Sequence, residues 1–307
     1  MRAARFHDYG PPEVLTVEET PRPMPGEGEV LVRVHAAGVN PIDWKLRAGY
    51  LKDFMPVQLP YTPGYDLAGT VEAVGPGVTD FTPGQAVFGR GAASYAEYAI
   101  APATALALKP ANITFDQAAT IAIGGVTAWA GLFDTAGLQP GQRLLVQGAA
   151  GGTGSYAVQL GNWKGAHVIG TASTRNLDTV RSLGAEQAID YTVTPVEQAV
   201  SDVDVVLDTV GGETMDRSWQ LLKPGGILVE VAGMPSEEAA QQHGVRTSGV
   251  QAPPVISGIL RQLAELIESG TVQAEVGPVF PLEEAAQAHA LSETGHGRGR
   301  VILHIAD

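Results

Sequence analysis

The sequence predicts an α/β protein in two parts, a barrel-like all-β unit followed by a doubly wound parallel-sheet domain. Three observations carry this. Up to about residue 110, short apolar runs are broken by Gly/Pro turns. From Arg143 onward, short apolar runs alternate with helix-length segments. Between the first of those runs and its helix stands a glycine-rich turn, Gly148–Gly154.

The elements follow in order. Gly28–Asn40 has a strand-like run from Val30 to Val34 and then meets Gly38; Leu67–Gly89 supplies two more runs, punctuated by Gly75-Pro76-Gly77 and Pro83-Gly84. Asp116–Ala136 is rich in alanine and reads as one or two helices. Arg143–Gly148 reads as a strand, Gly152–Lys164 as a helix, His167–Thr171 as a strand and Arg175–Leu183 as a helix stopped by Gly184. Val203–Asp208, Ile227–Val231 and Thr247–Gln251 continue the strand series, the last of them expected to line the pocket. The doubly wound part runs over roughly 120–265, and the tail ends in Arg300–Ile305, a β-like run able to return to the first unit.

Composition narrows the function classes. Nineteen basic and 33 acidic side chains give a net charge of −14, a field that disfavours nucleic acid and anionic membrane as partners. With no cysteine, disulfides, thiolate metal ligation and a catalytic thiol are excluded together. The N-terminal MRAARFHDYG has no apolar signal-peptide core, and the longest uncharged run, Gln117–Phe133, is interrupted by Gly124-Gly125. The expectation is a cytoplasmic protein.

Glycines at 148–154 let the backbone approach a pyrophosphate, whose charge would sit on Ala150, Gly151, Gly152, Thr153 and Gly154 at the positive end of the next helix. Later glycines let that helix pack closely on its strand. An NAD site usually carries an acid ~20 residues on, at the end of the second strand. Here the strand ends Ile169-Gly170-Thr171-Ala172-Ser173-Thr174-Arg175, with no acid. Ser173, Thr174 and Arg175 can donate to a 2′-phosphate, and an arginine in a first helical turn opposes the helix dipole and so needs another reason. The pattern favours NADPH over NADH. Tyr191 fits a wall for the adenine or a place in the core.

AAGVNPIDWKLRAGY (36–50), TPGYDLAGTVEAVG (62–75), GGVTAW (124–129), GLQPGQRLLVQGAAGGTG (137–154) and DVVLDTVGG (204–212) together resemble the zinc-independent medium-chain dehydrogenase/reductase superfamily, quinone oxidoreductase (zeta-crystallin-like) type. The resemblance covers essentially the whole chain. It implies a GroES-like β-barrel catalytic domain from 1–120 with 266–307, and an inserted Rossmann NADPH-binding domain at 121–265. Zinc-dependent relatives place Cys where this chain has Asn40 and His-Glu where it has Tyr65-Asp66, and Asn plus Tyr cannot complete a catalytic zinc site. The resemblance therefore implies metal-free hydride delivery to an activated acceptor, a quinone or an α,β-unsaturated carbonyl. It sets Asn40 and Tyr50 at the substrate mouth and Thr127 against the nicotinamide. Asn40 would donate an amide N–H to the acceptor oxygen; Tyr50 would donate a proton or shape the pocket. Asp43 fits either the same wall or a cap on the next helix. Topology adds the backbone of Val210, Val231, Ala232 and Gly233 as cofactor contacts. Arg298 or Arg300 would pair with phosphate, or simply face solvent. A homodimer is implied. The competing readings are a nucleotide-binding protein without turnover and an enoyl-thioester reductase with a carrier-bound substrate.

Overall fold

The computed structural model describes residues 1–250 and 252–306, so Gln251 of the last expected strand lies outside the described residues. Two compact units emerge: residues 1–123 with 255–269 and the tail from Ala274, and residues 124–254 with 270–273.

In chain order, the first stretch holds β1 (Arg2–Arg5), β2 (Thr16–Glu19), β3 (Glu29–Val39), α1 (Pro41–Arg47), β4 (Asp66–Val74), β5 (Ala86–Arg90), β6 (Tyr98–Pro102), β7 (Leu106–Leu108), α2 (Phe115–Ala118) and α3 (Ile121–Trp129). Then come β8 (Arg143–Gln147), α4 (Gly154–Trp163), β9 (His167–Ala172), α5 (Leu177–Ser182), β10 (Gln187–Asp190) and α6 (Val196–Ala199). They are followed by β11 (Val203–Asp208), α7 (Glu213–Ser218), β12 (Leu222–Glu230), α8 (Glu237–His243) and β13 (Arg246–Gly249). The last stretch is α9 (Ser257–Glu268), β14 (Val276–Pro281), α10 (Ala285–Glu293) and β15 (Arg300–His304). Among the described residues, no helix is long and apolar enough to cross a membrane.

The first unit is built on a mixed sheet in the order β14-β15-β3-β4-β5-β7, with β6 also pairing β3. Its long central strand β3 is buried along almost its whole length and pairs antiparallel with β4, β6 and β15. Val30, Val32, Val34, Leu67, Val87 and Leu303 share one apolar core. The sequence expectation ran the parallel-sheet domain to residue 265, whereas the structure puts Val255–Ser269 with the first unit. The reason is the stripe Leu260, Leu263 and Ile267 on α9, buried at helical spacing, together with the Ile256 N–H bonded to the Thr104 carbonyl at 3.2 Å.

The second unit is a six-stranded, all-parallel sheet in the order β10-β9-β8-β11-β12-β13. Counted from β8, this is the 3-2-1-4-5-6 order of dinucleotide-binding sheets, with its switch point between β8 and β11. β11 is buried at every position, as a strand covered on both faces must be. The expected close packing of α4 on the sheet is real: a Cβ at Gly161 would lie 2.6 Å from Leu144 Cδ2 and 3.0 Å from Val168 Cγ2. Where one or two helices were expected over Asp116–Ala136, α2 and α3 are followed by a π-helical turn, Ala130–Thr135.

Candidate functional site

In the second unit the chemistry gathers at the carboxyl ends of the strands. The turn after β8 ends at Gly154, where α4 begins; in that first turn the Ser155 N–H bonds the Gly151 carbonyl (2.9 Å) and the Ala157 N–H the Thr153 carbonyl (3.0 Å), and the helix dipole makes this end positive. Gly154 is there because nothing larger fits: a Cβ would stand 2.2 Å from the Gly148 carbonyl oxygen and 2.8 Å from Ala149 Cα. Beneath the turn runs a polar row, one residue from the end of each of four neighbouring strands: Thr171, Gln147, Asp208 and Glu230, all buried. The Thr171 hydroxyl donates to Gln147 Oε1 (2.8 Å), Gln147 Nε2 donates to Ser218 Oγ (3.2 Å), and the Gly148 N–H is held by Thr171 Oγ1 (3.2 Å). The glycine turn therefore rests on a hydrogen-bonded floor rather than on apolar side chains.

The two carboxylates of this row order the loops that follow them. Asp208 Oδ1 accepts the N–H groups of Val210 (2.8 Å) and Gly211 (3.0 Å); Glu230 Oε1 accepts those of Ala232 (2.7 Å) and Gly233 (2.8 Å). The Val231 N–H bonds to the Asp208 carbonyl at 2.9 Å. The backbone N–H groups of Val210, Val231, Ala232 and Gly233, expected as cofactor contacts, are thus engaged within the protein, and of their backbone groups only carbonyl oxygens remain for a ligand. Burial raises both carboxyl pKa values against the pull of those N–H groups, and for Glu230 the neighbouring Asp208 adds to the rise.

A rim closes the far side, where β9 and β10 end as register partners at Ala172 and Asp190. Ser173 leads into a short 3₁₀ turn, Thr174–Asn176, ahead of α5, and Thr174 and Arg175 are exposed there. Tyr191 stands beside them, 46% exposed, its N–H on the Ala172 carbonyl at 3.3 Å. It is a rim aromatic rather than a core residue. Thr174 departs from expectation: its hydroxyl donates to Asp190 Oδ2 at 2.5 Å, so its hydrogen is not available to a phosphate. Thr127 is half-buried on α3, one residue before Ala128 in the approach to the π-helical turn. Such turns recur at functional sites.

In the first unit, the sequence singled out Asn40, with Asp43 as wall or helix cap, but not the buried cluster that the two join. Asn40 is the N-cap of α1 and 1% exposed. Its Nδ2 donates to Asp66 Oδ2 (2.9 Å) and to the Gly38 carbonyl (3.3 Å), while its backbone N–H is accepted by Asp43 Oδ2 at 2.8 Å. Both amide hydrogens point into the protein, so the expected donation to an acceptor oxygen requires one of these partners to be exchanged. Asp43 caps α1 and also anchors a buried chain: Tyr95 donates its hydroxyl to Asp43 Oδ2 (3.1 Å), and His289 Nε2 lies 3.3 Å from Tyr95 Oη. Asp66 Oδ1 accepts the Ile123 N–H at 2.7 Å. Burial pushes Asp43 up to about 7 and Asp66 to about 6, and pushes His289 down to about 3. Arg300, 6% exposed, acts on both carboxylates as a positive charge and bonds the Val39 carbonyl at 3.5 Å. It is a buried counter-ion brought in by β15, not the phosphate ligand expected. Arg298 is exposed and faces Glu275 at 3.8 Å.

Tyr50 is not brought beside Asn40. The two bracket α1, Asn40 capping its start and Tyr50 lying past its end, across a helix of seven residues, or about 10 Å. Tyr50 is 72% exposed, packs edge-on to Trp44 (6.0 Å) and borders a cavity of about 390 Å³ with Pro12, Trp44, Arg47 and Glu293. Tyr95 and His289 gave no signal of a site in the sequence, because only the fold buries them together with Arg47. Among the described residues, no group of three or more His, Cys, Asp or Glu side chains could hold a metal ion.

Comparison with known proteins agrees with this architecture. The family model described as "Alcohol dehydrogenase GroES-like domain" matches residues 26–111, and the one described as "Zinc-binding dehydrogenase" matches residues 183–303. An NADPH-dependent alkenal/one oxidoreductase of Arabidopsis thaliana, described as chloroplastic, is 37% identical over 99% of this chain and 79% of its own. The quinone oxidoreductase of Coxiella burnetii superposes with a TM-score of 0.89 at 35% identity, covering 99% of both chains. The Escherichia coli quinone oxidoreductase complexed with NADPH gives a TM-score of 0.89 at 29% identity, over 99% of this chain and 100% of that one.

Proposed function

The chain belongs to the medium-chain dehydrogenase/reductase superfamily, quinone oxidoreductase type, and from that premise we propose that it is an NADPH-dependent reductase that delivers hydride to quinones or α,β-unsaturated carbonyls without a metal. The observation that carries the reading is the glycine turn at Gly148–Gly154 leading into α4 beside the switch point of the parallel sheet, with Ser173 and Arg175 on the rim at the end of β9. This set fits a dinucleotide with a 2′-phosphate: helix N–H groups for the pyrophosphate, a guanidinium and a hydroxyl for the extra charge. Bound NADPH would supply the hydride.

The residues of this chain do the rest. Ala150, Gly152, Thr153 and Gly154 would hold the pyrophosphate through backbone and helix dipole, with Gly151 shaping the turn through its N–H on the Gly148 carbonyl at 3.0 Å. The loops after β11 and β12, pinned by Asp208 and Glu230, present carbonyl oxygens able to accept from an amide N–H₂ or a ribose hydroxyl. Thr127 would orient the ring, and Asn40, braced by Asp43 and Asp66, would donate to an acceptor oxygen only by exchanging one of its internal partners. A quinone or enone needs little more than orientation and exclusion of water, because the charge gained from hydride spreads onto its own oxygen. Asn40 and Tyr65 occupy the positions where zinc-dependent relatives carry ligands, which supports a metal-free site. We take the protein to be cytoplasmic and its working form to be a homodimer, the latter because β13 ends the sheet with an edge that no strand among the described residues pairs.

The test is NADPH oxidation by the purified protein against ortho- and para-quinones and enones, with a chelator present. Turnover with either class is expected. Tight NADPH binding without turnover on any acceptor would overturn the reading in favour of a binding protein or a reductase of carrier-bound substrates. Loss of turnover on adding the chelator would overturn metal independence.

A further inference from the structure

The rim at the ends of β9 and β10 holds a carboxylate that the cofactor reading does not use. Asp190 Oδ2 takes the hydrogen of the Thr174 hydroxyl at 2.5 Å, and Asp190 Oδ1 accepts both the N–H (2.9 Å) and the hydroxyl (2.6 Å) of Thr192. Asp190 is the register partner of Ala172, so its charge stands next to the segment Ser173–Arg175. The hydrogen bonds from Thr174 and Thr192 hold its carboxyl below the usual carboxylate range, and it is ionised at neutral pH.

We propose that Asp190 is a specificity-determining residue for the nucleotide, whose charge beside Ser173–Arg175 opposes the 2′-phosphate of NADPH and narrows the preference over NADH. The proposal rests on the cofactor reading above, and two effects act in the same direction. The carboxylate repels a dianionic phosphate across a solvent-exposed rim. Thr174, its hydrogen given to Asp190, turns only oxygen lone pairs outward; these accept from a ribose 2′-OH and cannot donate to a phosphate. Attraction for the phosphate then comes from Arg175 and from Ser173, whose oxygen already accepts from Asn176 Nδ2 at 3.4 Å. The site is a compromise in which the 2′-hydroxyl form of the cofactor retains a partner.

Neutralising the carboxylate removes both effects. Asp190→Asn keeps a carbonyl oxygen for the Thr192 N–H, and Asp190→Ser keeps a hydroxyl for the same turn; both lose the charge. NADPH and NADH are titrated onto the full-length wild type and each variant by fluorescence, at low salt and at about 0.5 M salt. In both variants the ratio of the NADH to the NADPH dissociation constant should rise about 3- to 10-fold at low salt, through tighter NADPH binding, and the gain should shrink at high salt. An unchanged ratio in variants with wild-type circular dichroism overturns the proposal, as does a gain that persists undiminished in high salt. If one substitution disturbs the fold, the other decides. A wild type that prefers NADH overturns the cofactor reading instead, and the ratio shift still judges Asp190 by itself.

Discussion

Asp43 gives the most demanding test of the first unit. It is fully buried, and it binds its proton at about pH 7 in the folded chain against 3.8 ordinarily, because burial outweighs the hydrogen bonds from Asn40 and Tyr95 and the charge of Arg300, with Asp66 adding to the rise. The sign follows from linkage: the native state holds this proton more tightly than the unfolded chain, so stability is lost as pH rises through the interval between the two values. At roughly 1.4 kcal/mol per pH unit, wild type should lose about 2–3 kcal/mol on this account between about pH 5 and about pH 7. Asp43→Asn removes the titration. Its side-chain oxygen can still accept from Asn40 and Tyr95, but its N–H₂ stands where Asp43 Oδ1 now has no partner, which costs about 1–3 kcal/mol at every pH. Urea unfolding followed by circular dichroism at a series of pH values measures the difference between the two proteins, in which the titration of Asp66 largely cancels. Wild type should be clearly the more stable at the acid end, with the gap closing towards neutrality. A gap independent of pH would refute the claim that Asp43 is protonated in the fold at mildly acidic pH.

Two further outcomes bear on the nucleotide site. Arg175→Ala should weaken NADPH binding by roughly 1.5–3 kcal/mol and leave NADH nearly unchanged, as expected for a charge-assisted hydrogen bond to the 2′-phosphate; equal loss for both nucleotides in a calorimetric titration would remove Arg175 from that role. Gly154→Ala forces a methyl group into the Gly148 carbonyl, 2.2 Å away, and should cost about 1–3 kcal/mol of stability. Because the turn itself must shift, affinity for NADPH and NADH should fall together, in contrast to Arg175→Ala, and retention of wild-type affinity for both would show that the turn does not hold the pyrophosphate.

The parallel-sheet unit was legible because its signals are local. Val203–Asp208 is a run of residues that must be buried on both faces, and it is β11 to the residue. The glycines at 148–154 pointed to a close-approach turn and the later helix glycines to close helix–strand packing, and the structure has such contacts at Gly154 and Gly161. Alternation of strands and helices implied a doubly wound parallel sheet, but strand order, and with it the switch point, was set only by the pairing of β8 with both β9 and β11. In the other unit, turns marked the strands but could not say which strands pair, so the partnership of β15 with β3 rested on a β-like tail alone.

What the sequence by itself determined are the features fixed by residue type within a few positions: the glycine turn, the absence of an acid at the end of β9, and the absence of thiols. What only the tertiary structure decided is where each polar group spends its hydrogen bonds. Thr174 turns to Asp190 and Asn40 to Asp66; the loop N–H groups after β11 and β12 turn to Asp208 and Glu230, and Arg300 to two carboxylates far from it in sequence. A donor's type is written in the chain, but its partner is set by which strands are brought side by side, and in a buried site nearly every donor must find one. The groups left for a ligand are those the fold has not already used.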